Sequence, residues 1–344
     1  MLRFAKVAAC AAISSVVLWG GLSLMEPRVD ACIHPGKTFE FPLKAGAQRG
    51  VIFFNNGREE LVLRPSYKVE IDEAKLNADG TLPGLSQLAW IVPVPSLPDR
   101  YVEAEEKLVD DLQKFAAIES DAKDWQKGAD ARQGGPEKGE ANGAELLEAV
   151  QVGNYKIQPI KATGEKGGTE LNAWLDDNGF GRVSESVLKF YLNKGHFWLA
   201  VKLSKEGGLP ANGTVKPLQI SFASDKPVYP LKINAGRGVI DLEMWLFCKR
   251  KLDAQCLDAY GMWLTETEKS MGRFSTQKNR ETEYSKLPET ARKALDGGAE
   301  KQADIRALKE GKLYCYRIWG ENMDAEGKLA KLESDLEFKF EAVK

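Results

Sequence analysis

The stretch from Arg49 to Arg64 most constrains how this chain folds. Arg49-Gly50-Val51-Ile52-Phe53-Phe54 and Glu60-Leu61-Val62-Leu63-Arg64 flank Asn55-Asn56-Gly57. An Asn-Gly pair tolerates the positive φ of a tight turn, so the two runs are expected to return on each other as an antiparallel hairpin. More strand surrounds it. Thr38 to Phe41 alternates, and Leu88-Ala89-Trp90-Ile91-Val92 is a continuous apolar run, so both faces of that strand should be covered. The run ends at Pro93-Val94-Pro95, whose missing N–H donors stop further pairing. Trp90, Pro93 and Pro95 have two readings: a rigid platform for a ligand or peptide, or a core anchor followed by an edge stop.

From Asp99 to about Trp125 the pattern turns helical, with Leu108, Leu112, Phe115 and Ile118 recurring at three and four. Gly128 to Gly143 carries Gly, Pro, Ala and charges, the composition of a flexible insert. Beyond it, Leu146 to Ile160 reads as strand. Gly167 to Asn178 reads as a short helix stopped by Gly179, and a second helix capped by Ser184 runs to about Lys194. Phe197 to Leu203, Leu218 to Phe222 and Val228 to Ile233 read as strands. In the last third, Val239 to Phe247, Leu313 to Trp319 and Leu336 to Phe340 look like strands, and Leu287 to Leu295 and Ala299 to Leu308 like helices. The expected fold class is α+β, with antiparallel-rich β-sheets, short helices, one long helix and a flexible insert. The chain divides into a signal peptide (1–31), an N-terminal β region (32–98), a helix plus linker (99–144), an α+β region (145–235) and a C-terminal α+β region (236–344).

Residues 1–31 have the form of a secretory signal. Arg3 and Lys6 precede the uncharged run Val7 to Met25, and Val29-Asp30-Ala31 offers a cleavage site between Ala31 and Cys32. Two alternatives stand beside cleavage: a retained signal anchor, since the run is just long enough to span, and a lipoprotein acylated on Cys32. Against the latter, Asp30 suits a lipobox poorly, and Glu26-Pro27-Arg28 separates the cysteine from the apolar run. The expected location is therefore exported, periplasmic or extracellular, with no membrane span once the signal is removed. Without residues 1–31 the chain keeps 45 basic and 48 acidic side chains, so it has no basic excess for a nucleic-acid partner. Cys32, Cys248, Cys256 and Cys315 then remain, and an even number in an exported chain predicts two disulfides of undetermined pairing. Zinc is disfavoured because there is no CxxC pair, and His34 and His196 lie far from Cys248 and Cys256.

Three stretches carry a family resemblance: Gln48 to Leu63 (QRGVIFFNNGREELVL), Ala89 to Pro98 (AWIVPVPSLP), and Val150 to about Ala235, which includes LKFYLNKGHFWLAVKL. In this order they resemble a bacterial family known as domain of unknown function 2330, as does a signal peptide ending in Ala-Cys. The resemblance implies an exported bacterial protein and no assigned activity, so it brings no functional residues. The Gly128–Gly143 insert and the region after about Arg237 depart from the family pattern.

Residues of chemical interest are few. Asp176-Asp177 stand before Asn178-Gly179 and read as a helix exit. Glu103, Glu105, Glu106, Asp110 and Asp111 lack EF-hand spacing and read as a solvated helix face. His196 begins an apolar strand, and a catalytic base there needs a nucleophile or orienting carboxylate that sequence does not show. His34 near Cys32 is a weak metal candidate. Asn212-Gly213-Thr214 fits a glycosylation acceptor and reads as a turn. Walker, GxSxG, HExxH and GxGxxG patterns are absent. The expectation is a non-catalytic module that binds a cell-envelope protein or polymer, with no metal or organic cofactor. The alternative is an envelope hydrolase whose carboxylates lie far apart in sequence. Facing carboxylates in a deep pocket, or a carboxylate on His196, favour the hydrolase; shallow grooves and open sheet edges favour binding.

Overall fold

The computed structural model describes residues 33–35, 39, 41, 43–83, 87–118, 143–204, 209–210, 212–235, 239–253, 256, 273–300, 302–324 and 333–342. The signal-like residues 1–31, Cys32 and the insert as far as residue 142 lie outside them. In chain order the strands are β1 (Ile33–Pro35), β2 (Leu43–Asn55), β3 (Arg58–Val69), β4 (Gln87–Val94), β5 (Arg100–Glu103), β6 (Gly143–Leu146), β7 (Val150–Val152) and β8 (Tyr155–Thr163). Then come β9 (Phe197–Ser204), β10 (Asn212–Thr214), β11 (Leu218–Ala223), β12 (Val228–Tyr229), β13 (Val239–Cys248), β14 (Arg273–Glu283), β15 (Lys312–Asp324) and β16 (Leu336–Glu337). The helices are α1 (Leu108–Ile118), α2 (Gly164–Asp177), α3 (Glu185–Asn193), α4 (Glu289–Ala299) and α5 (Ala303–Arg306).

The hairpin read from Asn55-Asn56-Gly57 is the centre of the larger sheet. β2 and β3 pair antiparallel down to Asn55↔Arg58, and Asn56 and Gly57 take φ of 45° and 80°, the doubly positive geometry of a tight hairpin turn. The sheet runs β14-β15-β13-β2-β3-β11-β5, with β10 also on β3. Its β13–β2 pair is parallel, while its other pairings are antiparallel. Strands from each of the four segments after residue 31 share it. The smaller sheet runs β1-β4-β9-β8-β6, with β7 also on β8. A two-stranded ribbon, β12-β16, completes the set.

Alternation along the hairpin sorts its side chains onto two cores. Ile52, Phe54, Leu61 and Leu63 face the smaller sheet and share a core with Trp90, Tyr155 and Val201. Val51, Phe53 and Val62 point the other way, onto α1 and α4 through Leu108, Leu112 and Leu295. Behind the smaller sheet, α2 packs on β6 and β8, and Tyr191 of α3 meets Trp198 of β9 edge to face. The order of layers is helix, sheet, sheet, helix, and β4 is buried on both faces as its apolar run predicts.

Several local readings need correction. Arg100–Glu103, expected as helix, is an edge strand on β11, because Tyr101 and Val102 favour pairing and the apolar helical spacing starts only at Leu108. Val228–Ile233 keeps only two strand residues before Pro230, which lacks a donor, and a 3-10 turn at Lys232–Asn234. Asn212–Thr214 is a short strand on β3 rather than a turn. Ser184 occupies the cap position of α3 without a side-chain capping bond.

Candidate functional site

A dense group of perturbed titratable side chains lies where the end of the smaller sheet meets the β12–β16 ribbon. α3 carries Tyr191, the turn after it carries Lys194 and His196, the 3-10 turn carries Lys232, and the closing segment brings Asp335 and Glu337. Tyr191 is buried because α3 puts Val187, Leu188 and Tyr191 on one face. Its hydroxyl donates to Asp335 Oδ1 at 2.7 Å, and the Lys232 amide donates to the same oxygen at 2.9 Å. Asp335 has 0% of its surface exposed, and burial lifts its carboxyl to about 7, against the pull of Tyr191 and Lys232. His196, 8% exposed, is pushed down to about 4, first by burial. It bonds to the Lys194 backbone, and its Nδ1 has no partner. Around it Lys194 and Lys226 hold Glu337 at 2.5 and 2.7 Å, and Lys194 and Lys232 both sit over the Phe190 ring. Burial lowers the Lys232 ammonium from its ordinary range. The cluster joins three parts of the chain. His196 makes contact there with a tyrosine ring and a backbone group, not with a carboxylate oxygen.

Two neighbouring carboxylates on β3 are also fully buried. Glu59 faces the inter-sheet core and accepts the Val228 amide at 2.9 Å; burial holds it well above the usual carboxyl range. Glu60 faces the helices, where Arg100 approaches at 3.2 Å and Gln219 donates at 2.8 Å. Burial raises Glu60, while Ser221, Gln219 and the two arginines Arg100 and Arg58 oppose the rise. The two groups point to opposite sheet faces, so they cannot share one reacting atom. No sequence pattern announces this pair beyond two adjacent acids inside an apolar strand.

Trp90, 2% exposed, lies in the inter-sheet core and lines a cleft of about 30 Å³ with Val92, Gln48, Tyr229, Ile233 and Asn234. Pro93 is paired with Trp198 inside β4, which continues to Val94, so the proline does not stop the pairing as its missing N–H suggests, and Pro95 follows the strand. A second concavity, about 540 Å³ and open, is walled by Glu103, Glu105, Glu106, Lys107 and Lys216. Its acids do not form one solvated helix face. Glu103 is on β5 and accepts the Asn154 amide; Glu105 and Glu106 precede α1. On the helix itself, Asp110 pairs with Arg64 at 3.1 Å and Asp111 accepts from Thr290 at 3.0 Å, tying α1 to β3 and α4. Asp176 pairs with Arg182 at the exit of α2.

Two disulfides are expected among Cys32, Cys248, Cys256 and Cys315, and Cys32 lies outside the described residues. Two bridges among four cysteines require at least one bond within Cys248, Cys256 and Cys315, and no two of these three are joined. Phe247 is opposite Cys315 in the β13–β15 ladder, so Cys248 and Cys315 point to opposite faces of the sheet. The Cys248 thiol donates to the Arg250 carbonyl and Cys256 to that of Glu337. Among the described residues, no group of three or more His, Cys, Asp or Glu is placed to hold a metal. No helix among them is long and apolar enough to cross a membrane.

No curated protein matches the chain. Solved structures that resemble it include a mutated baculovirus P35 after caspase cleavage, at 9% identity and a TM-score of 0.39, covering 86% of this chain and 100% of that one. Baculovirus P35 itself gives 10% identity and a TM-score of 0.36, covering 88% and 98%. Likenesses at such scores carry no statement about what this chain does. A bacterial family matches residues 72–274, which include the second and third resembling stretches but not Gln48–Leu63. The chain belongs to the uncharacterized family conserved in bacteria designated DUF2330.

Proposed function

We propose that this is an exported bacterial protein that works at the cell envelope by binding rather than by catalysis. One observation carries the reading. The two concavities described above are an open, charged groove and a slit of about 30 Å³, and neither is a deep pocket that closes facing carboxylates around a substrate. His196 is bonded to backbone, and Glu59 and Glu60 lie on opposite faces of a strand. The open groove, with three glutamates and two lysines on its walls, suits a charged protein or polymer surface more than an enclosed small substrate. Export supports the reading through the signal-like residues 1–31 and the Ala31–Cys32 junction.

The test has two parts. Fractionation of cells expressing the full chain, with intact mass, should give an exported form beginning at Cys32. A diacylglycerol increment converts the export reading to a lipoprotein, and retention in the cytoplasm overturns it. The exported form should then co-sediment with isolated envelopes in a salt-dependent manner and release no soluble fragments. Fragment release would establish the hydrolase instead.

A further inference from the structure

We propose that residues 333–342 form a strap that holds the 227–234 wall of the Trp90 cleft shut, and that freeing the strap opens the cleft. Backbone contacts tie the two together first. Leu336 and Glu337 pair with Tyr229 and Val228, and the Phe338 amide donates to the Pro227 carbonyl at 2.9 Å. Asp335 adds a side-chain tie by accepting the Lys232 amide, which fixes the turn carrying Ile233 and Asn234. The Tyr191 hydroxyl donates to the same oxygen and accepts the Ile233 amide, so α3 anchors strap and wall together. Lys194 and Lys226 grip Glu337 from the solvent side. The strap's own Leu336 and Phe338 side chains are buried.

A two-stranded ribbon of this length is not stable alone. The wall therefore keeps its place through these ties and through its inner contacts, the Val228 amide on Glu59 and the Tyr229 ring lying over Gly50. Tyr229, Pro230, Ile233 and Asn234 line the cleft together with Trp90 and Val92. With the strap seated, its volume of about 30 Å³ takes roughly one water. Anything larger reaches Trp90 only after the wall moves, and the wall is fastened to the strap at Pro227, Val228, Tyr229 and Lys232. This inference does not rest on envelope binding, because its readout is exposure.

Hydrogen exchange and hydroxyl-radical footprinting of the full chain, wild type against Tyr191→Phe, test it. Exchange in 227–234 and 333–342 should rise together by about tenfold or more, because the hydroxyl loses its bonds to both Asp335 and the Ile233 amide, with the hairpin at 51–63 unchanged. Oxidation of Trp90 and Tyr229 should rise, with Trp245 on the other sheet face unaffected. Lys194→Ala with Lys226→Ala frees Glu337 from the surface while leaving the Tyr191–Ile233 bond in place, and it should give the same paired response, a fewfold in size. Faster exchange in 333–342 without 227–234 overturns the proposal. Opening of both segments without added oxidation at Trp90, opening only together with the hairpin, or no change in either segment overturns it equally.

Discussion

Asp335 and His196 belong to one buried cluster and prefer opposite ends of the pH scale. Burial lifts the Asp335 carboxyl from 3.8 to about 7 and drops the His196 imidazole from 6.5 to about 4. The folded state therefore holds the Asp335 proton more tightly than the unfolded state does. Its contribution to stability is fully present below 3.8 and is lost as pH rises through about 7. His196 has the reverse sign: its contribution is present above 6.5 and is lost as pH falls through about 4. At about 1.4 kcal/mol per pH unit, the spans correspond to about 4 kcal/mol for Asp335 and about 3 kcal/mol for His196. Across the shared window the two largely cancel, and each single variant uncovers the other. For Asp335→Asn, the stability gap to wild type should narrow by about 4 kcal/mol as pH rises through the Asp335 window. For His196→Gln, the gap should widen by about 3 kcal/mol as pH rises through the His196 window. Urea unfolding followed by tryptophan fluorescence across both windows measures the gaps, and taking differences removes the titration of other carboxylates. Gaps that stay flat, or that slope the same way in both variants, refute the reasoning.

Three further outcomes are expected. Trp90→Ala should cost about 3–5 kcal/mol in urea unfolding, since a fully packed indole is removed from between the sheets; an unchanged midpoint would move this segment out of the core. Gly298→Ala should destabilise by about 1–3 kcal/mol, because its Cβ would stand 2.6 Å from Glu60 Cδ in the seat of α4; a stability equal to wild type would show that the helix is not held against β3. Thiol titration of unfolded, unreduced protein should count Cys248 and Cys256 as thiols; a count of zero contradicts the cysteine geometry.

The parts of the fold legible in sequence are those where local chemistry and tertiary context agree. Asn56-Gly57 demands positive φ and finds it in the hairpin, and the unbroken apolar run of β4 is a strand covered on both sides. β5 was hidden because the acids and apolar residues after Asp99 also fit a helix that starts later. β14 was hidden because an edge strand needs no apolar alternation, and Arg-Phe-Ser-Thr-Gln-Lys-Asn-Arg shows little. The cluster was only half visible. His196 stood out beside Phe197 and Trp198, but Asp335 is separated from Tyr191 by 144 residues, and nothing local marks it as buried. The even cysteine count carries no direction, and the pleat sends Cys248 and Cys315 to different faces.

Glu59 and Glu60 put that last point to a quantitative test, since two identical neighbours should respond differently to the same change. Glu59 is buried with a single backbone donor, the Val228 amide, and burial holds it toward the neutral acid. Gln keeps the shape, keeps an acceptor for Val228 and brings no charge, so Glu59→Gln should shift stability by no more than about 1 kcal/mol at neutral pH. Glu60 stands against Arg100, with Arg58 close enough to favour its charge and Gln219 bonded to it. Glu60→Gln removes the countercharge from Arg100 and leaves that guanidinium mostly enclosed beneath α4, where breaking one side of a buried pair costs about 3–5 kcal/mol. Arg100→Leu in the Glu60→Gln background should recover much of the loss, because it removes the stranded charge rather than restoring a bond. Equal losses for the two single variants would mean that the strand does not separate its carboxylates into an apolar and an ionic environment, and would undo the assignment of the two faces of β3.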